Sequence, residues 1–160
     1  MRLNEGVEWA LHSCLLMAWV GDQQPVPTAK LAAAFELPPA YLNKQLQALA
    51  RAGIVTSTPG PKGGFQLARQ PQEITLMDVL SAIEGPEDAF RCQEIRQRGV
   101  GASASEASFA EPCVIAAAMR TAELAWRRAL SAQTLADIRA DTDRSAPQAA
   151  EMMRGWYATH

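Results

Sequence analysis

Cysteine and histidine are scarce: 160 residues hold three of the first and two of the second. Three cysteines are too few for a disulfide scaffold, so a cytoplasmic setting is expected. No apolar run is long enough to cross a bilayer, and no membrane partner is expected. The opening MRLNEGVEW is acidic and helix-patterned from the start, unlike a signal peptide. Nucleophile elbow, HExxH pair, GxxxxGK phosphate loop and dinucleotide-type glycine pattern are all missing, and a cysteine nucleophile would find only His12 as an interior base. No catalytic residue is therefore assigned, and an enzyme is not expected. Nor is there an internal repeat or a large charge excess, 15 basic residues standing against 17 acidic. What is present, 48% apolar and 20% charged residues, suffices for the core of one or two small domains.

The most informative stretch runs from Thr28 to Arg69. Leu42, Leu46 and Leu49 recur at helical spacing between Pro39 and Arg51, which predicts one buried stripe. The opposite side carries Asn43, Lys44, Gln45 and Gln47, polar chains able to reach base edges or phosphates. Pro38 and Pro39 suit a helix start, and Gly53 suits its end. A shorter helix, Thr28–Phe35, is expected just before, capped by Thr28 and separated only by Glu36, Leu37 and Pro38. Two helices joined so tightly make a helix-turn-helix. The β-branched run Ile54–Ser57 and the segment Phe65–Ala68 then read as a hairpin, with Lys62 at its tip and Gly60, Gly63 and Gly64 allowing close approach to a backbone. Helix-turn-helix plus wing points to double-stranded DNA. The net charge of −2 does not oppose this, because residues 23–70 carry Lys30, Lys44, Arg51, Lys62 and Arg69 against Glu36 alone. So small a local excess predicts that two subunits bind together.

Elsewhere, residues 4–20 read as a first helix with Val7, Leu11, Leu15 and Met17–Ala18 inward, and Asp22–Pro27 as a loop. Thr75 with Asp78 resembles a capping box for Leu76–Glu84. The pattern dissolves from Gly85 to Glu111, where GVGASASEAS (99–108) reads as a mobile loop. A long helix starts near Pro112 and reaches about Leu130, with Ile115, Met119, Ala122 and Trp126 at helical spacing; a short one follows at Thr134–Arg139. The remainder is mostly polar until Met152, Met153, Trp156 and Tyr157, a cluster suited to docking as a short helix.

The start MRLNEGVEWALH, then YLNKQLQALARAGIV, GGFQLAR, PQEITLMDVLSAIEG and the cysteine segment together resemble the BadM/IscR/NsrR/RsrR-type winged-helix transcription regulators over about residues 1–140. The resemblance implies a mostly α fold with a small β-wing, in which a winged helix-turn-helix domain (1–85) is followed by a cysteine-bearing sensor loop (86–111), a dimerisation helix region (112–140) and a C-terminal tail (141–160). It implies a homodimer on a palindromic DNA operator. Tyr41, Lys44 and Gln45 are then expected at bases or phosphates, Thr28 and Pro39 near the backbone at helix starts, Lys62, Gly63 and Gly64 in a groove or along a phosphate ridge, and Arg2 on a phosphate.

Cys14 lies on the apolar side of the first helix and reads as a core residue. Cys92 and Cys113 border the loop. A two-iron, two-sulfur cluster takes four ligands, thiolates or sometimes imidazoles. Most cluster-binding members of the family carry three closely spaced loop cysteines, whereas this chain has two, 21 positions apart. One branch with two completes the set from its partner's DNA-binding domain with a Glu and a His. Glu8 matches the Glu position, and Phe35 stands at the His position. His12, four residues after Glu8 and on the same helix face, is the candidate fourth ligand beside Cys92, Cys113 and Glu8. Trp9, between them, is either packed or moved by such a site. The alternatives are a cluster-free regulator with a Cys92–Cys113 thiol/disulfide switch favoured by Arg91, Arg96 or Arg98, constitutive DNA binding, and a winged helix that binds protein.

Overall fold

The computed structural model describes residues 3–20 and 24–160. Among the described residues, seven α-helices and a two-stranded antiparallel sheet follow one another as α1 (Glu5–Val20), α2 (Thr28–Ala34), α3 (Pro39–Arg51), β1 (Val55–Thr58), β2 (Gly64–Leu67), α4 (Leu76–Glu84), α5 (Val114–Ser131), α6 (Leu135–Ser145) and α7 (Pro147–Thr159). The chain divides into two compact units, one of Glu87–Ala129 and the other of the chain up to Pro86 together with Leu130–His160.

The larger unit is the winged helix. Its core is built by α1 through Ala10, Cys14, Leu16 and Met17, by α3 through Leu42, Leu46 and Leu49, and by Leu31, Ile54, Ile74 and Val79. The leucine stripe expected on α3 is wholly inside. The turn between α2 and α3 closes as Leu37 N–H donates to the Ala32 carbonyl at 2.8 Å, with Glu36 in left-handed conformation at φ 52°. That α2 begins on a Thr28 cap is corrected: Pro27 is the cap, with no side-chain hydrogen bond, and Thr28 is the first helical residue. Gly53 does follow α3 at φ +68°, the left-handed position that favours glycine.

The wing pairs Val55 with Leu67 through to Thr58 with Gly64. Val26 adds an isolated antiparallel bridge to β2, exchanging hydrogen bonds with Phe65 at 2.7 and 2.8 Å. A Cβ on Gly64 would stand 2.3 Å from the Val26 carbonyl oxygen, so the wing lies flush on the body only because that residue is glycine. Thr75 and Asp78 form the expected reciprocal cap of α4, at 2.9 and 3.0 Å.

The C-terminal part is more regular than its composition suggests. The short helix expected at Thr134–Arg139 runs on to Ser145, and the docking helix expected from the Met152–Tyr157 cluster is present as α7, which begins earlier, at Pro147. Thr134 and Asp137 cap α6, while Leu135 N–H donates to the Ile74 carbonyl and Leu76 N–H to Gln133, joining the starts of α4 and α6. From α7, Met153 and Tyr157 pack on the core, and Tyr157 holds Lys30 of α2 by a ring contact at 4.3 Å and by its carbonyl at 3.4 Å.

In the smaller unit the loop expected at 99–108 is instead folded into 3-10 turns at Gly99–Ser103 and Glu106–Phe109, after a further turn at Ile95–Gln97. Arg127 of α5 secures its beginning, bonding the Glu87 carbonyl at 3.0 Å and pairing with Glu123 at 2.7 Å. No residue of α5 is buried.

Candidate functional site

Two places concentrate the predicted residues, one in each unit. In the winged helix, α3 and the hairpin form the walls of a groove of about 350 Å3, whose lining includes Thr28, Asn43, Gln47, Ser57, Pro61 and Gly63. Pro38 precedes α3 as its cap and Pro39 opens it, so the exposed first turn lacks an N–H that has no helical partner in any case. Lys44 and Lys62 are exposed. Tyr41 is 47% exposed, its ring meeting Trp9 edge-on at 5.4 Å and lying 6.0 Å from the Lys44 ammonium. Trp9 therefore packs beneath the start of α3. Gly63 lies in the wing turn and Gly64 opens β2 opposite Thr58. Arg2 is outside the described residues.

Gln45 requires correction. It is only 5% exposed, because its position on α3 falls toward α1, and its amide fills the space where a Cβ on Gly6 would be, 2.6 Å from Cδ. A residue so placed spaces α3 from α1 and is unavailable to a base. The amides that do line the groove are Asn43 and Gln47, one helical turn apart. Their signal in the sequence is the i, i+4 spacing beside the wing, within the polar face that Asn43, Lys44, Gln45 and Gln47 share.

In the smaller unit, Cys92 and Cys113 come together. Cys113 immediately precedes α5, and its sulfur accepts hydrogen bonds from the Ala116 and Ile115 amides and from Cys92. The Ala116 bond is the chief reason its pKa falls below the ordinary thiol value, with Arg96 adding to the effect and partial desolvation opposing it. Arg96 was not separable from Arg91 and Arg98 in the sequence; the structure makes it central. It pairs with Glu94 at 2.5 Å, bonds the Glu111 carbonyl at 3.2 Å and covers the Phe109 ring at 5.6 Å. Glu94, whose carboxyl is held below the usual range by its hydrogen bond to Arg96, donates its own backbone N–H to the Cys92 sulfur at 3.4 Å. Both cysteines open on a cavity of about 840 Å3.

Cys14 behaves oppositely. It is fully buried, and desolvation pushes its pKa up to about 12.

Glu8 and His12 are exposed, one turn apart on α1 of the larger unit. The His12 ring rests 5.5 Å from that of Phe35, so an imidazole stands beside the position where the resemblance expects one. Among the described residues no group of three or more His, Cys, Asp or Glu is arranged to hold a metal ion. One chain thus gathers two thiols, half of what a two-iron, two-sulfur cluster needs, and its donor set does not by itself fit the group.

A family model described as Rrf2, an iron-dependent transcriptional regulator, matches residues 3–141. A helix-turn-helix-type regulator by name, YffB of Lactococcus lactis subsp. lactis is 32% identical over 142 residues, covering 89% of each chain. Among solved structures, CymR of B. subtilis, titled its global cysteine regulator, superposes with a TM-score of 0.66 at 23% identity, over 89% of this chain and 99% of the other. T. potens IscR does so with a TM-score of 0.67 at 20% identity over 91% of each. These two likenesses establish the fold. The family and its named members are transcriptional regulators and not enzymes. No helix among the described residues is long and apolar enough to cross a membrane.

Proposed function

The chain belongs to the Rrf2 family of transcriptional regulators, and from that premise we propose that it binds a palindromic double-stranded operator in the cytoplasm as a homodimer whose grip on DNA follows the redox state of Cys92 and Cys113. The groove between α3 and the wing carries the first part of this reading. Its amides suit adenine edges, Lys44 and Tyr41 are exposed on the same helix, and Lys62 sits on a hairpin thin enough to follow a phosphate ridge or enter a minor groove. Thr28 and Pro39 lie at helix starts, where backbone and hydroxyl groups meet phosphates. Arg2 completes the set from sequence alone.

Homodimerisation rests on α5. Met119 and Leu124 are exposed apolar residues on a helix with no buried residue, and a second copy of the same helix is the partner the family relationship supports. The segments 1–85, 86–111, 112–140 and 141–160 keep their proposed roles as DNA-binding domain, sensor segment, dimerisation region and tail.

The sensor reading is supported by the adjacency of a stabilised thiolate and a second thiol. Oxidation to a Cys92–Cys113 disulfide would couple the segment before α5 to the start of α5, and operators with two half-sites tolerate little change in spacing. Iron–sulfur sensing is the second reading, favoured by the exposed pair Glu8 and His12. When bound, a 2Fe-2S cluster supplies one-electron redox chemistry; Cys92 and Cys113 would hold it with Glu8 and His12 from a partner subunit.

Two measurements test these statements. A mobility shift with the reduced protein on its own promoter region should give a specific complex, and no shift in any redox state removes the regulator reading. Protein purified without oxygen should be colourless and free of acid-labile sulfide if the thiol pair acts alone; visible absorption with bound iron supports the cluster instead.

A further inference from the structure

The cavity beside the cysteines is not yet assigned an occupant. Its walls combine apolar side chains, among them Phe90, Val114 and Ile115, with the guanidinium-bearing Arg91, Arg96 and Arg98. Arg91 is paired with Glu87 and Arg96 with Glu94, whereas Arg98 has no acidic partner among the described residues. Among the described residues, Arg98 is thus the one guanidinium of this wall free to pair with an incoming anion. Its size, about 840 Å3, lies in the range of sites for organic small molecules. Two sulfurs face the same space, which is more than a binding pocket requires.

We propose, resting on the thiol-pair reading above, that this cavity admits a carboxylate-bearing low-molecular-weight disulfide, which the two cysteines reduce while becoming oxidised themselves. The carboxylate pairs with Arg98 and the organic body covers the apolar wall. The order of attack follows from position. Cys113 has its sulfur on the amides that open α5 and is the attacking thiolate; Cys92 is exposed and follows.

In the first step the Cys113 thiolate attacks one sulfur of the disulfide, the S–S bond breaks and one small thiolate leaves, producing a mixed disulfide on Cys113. In the second, Cys92 gives its proton to solvent or to a departing thiolate and attacks the Cys113 sulfur, releasing the second small thiolate. The protein loses two electrons to form the Cys92–Cys113 bond, and the ligand gains two to become two thiols.

The test uses full-length reduced protein and three disulfides of different charge: glutathione disulfide (anionic), bis(2-hydroxyethyl) disulfide (neutral) and cystamine (cationic). Formation of the Cys92–Cys113 bond is followed by alkylation and mass spectrometry, each rate being divided by that of the same reagent with a free small thiol. The expected order is anionic, neutral, cationic, with a spread of about fivefold, the scale of one exposed ion pair. Arg98→Ala should erase most of the spread, and Cys92→Ser should trap the mixed disulfide on Cys113. Equal rates, a preference for cystamine, or a spread unchanged by Arg98→Ala overturns the proposal. Diamide separates the two levels of the argument: if it too forms no Cys92–Cys113 bond, the thiol-pair reading itself fails, whereas a diamide-formed bond without charge preference removes only the ligand class.

Discussion

At the scale of single residues, the three cysteines differ through their surroundings. Cys113 ionises below the ordinary thiol value because helical amides stabilise the negative sulfur, and Cys14 ionises far above it because burial removes solvent. Alkylation of the native protein should therefore modify Cys113 with a pH midpoint below that of a free small thiol, and should leave Cys14 unmodified until the protein unfolds. The sign is that of any acid with a depressed folded pKa: the stabilisation of its charged form is present above the unfolded pKa and is lost as pH falls through the folded one. Mass spectrometry after a pH series reads both outcomes. Cys14 was legible as core from its helix face. The Cys113 environment was not, since the pattern dissolved before residue 112 and the arginine among three that would matter depended on a turn the sequence did not announce.

At the scale of elements, α3 illustrates what periodicity can and cannot resolve. Its leucine stripe and proline start were legible, and so were its limits, Pro39 and Arg51. Which polar side chain leaves the outer face was not, because Gln45 lies beside the leucines and is accepted inside only where Gly6 provides room. Gln47→Ala and Asn43→Ala should each relax preference at one base position, by about 1–3 kcal/mol. Lys44→Ala should weaken every duplex alike and reduce the salt slope by about one. Gln45→Ala should lower stability and leave base preference intact. Competition binding against a randomised operator distinguishes these outcomes. In the wing, Gly64→Ala forces a methyl group onto the Val26 carbonyl; it should cost roughly 1–3 kcal/mol of thermal stability and weaken DNA binding together. The caps at Thr75 and Thr134 invite a simpler check, each Ala substitution costing about 1 kcal/mol in a denaturant titration. The Thr75 cap was readable from its spacing to Asp78. The full length of α6 was obscured by polar composition, since only Leu135 of it is fully inside; α7 was legible from the apolar cluster Met152, Met153, Trp156 and Tyr157, but its start at Pro147 was not.

For the whole molecule, the fold class followed from the order of helix, turn, helix and hairpin, and Cys92 with Cys113 was legible as a candidate pair; whether that pair acts alone or with Glu8 and His12 was not, because the choice depends on residues far apart in sequence. Cys92 and Cys113 meet across 21 positions, and the mate proposed for α5 is a second molecule. Met119→Glu places a charge on the exposed apolar side of α5 and should shift the protein to monomer in sedimentation, with a concurrent loss of operator affinity of at least about tenfold. Lys44→Ala, by contrast, should leave the dimer unchanged. Paired subunits with a modest local positive charge should also bind with strong salt dependence, as phosphate contacts release counterions.

The central claim is that the groove between α3 and the wing reads sequence. It is tested most directly by fluorescence anisotropy of the reduced full-length protein on its own promoter fragment and on a scrambled duplex of equal length, at one physiological salt concentration. The account predicts a preference of about a thousandfold or more for the promoter fragment, reduced by the Asn43→Ala, Gln47→Ala double variant. Equal affinity for the two duplexes, or a preference that the double variant leaves untouched, would contradict it.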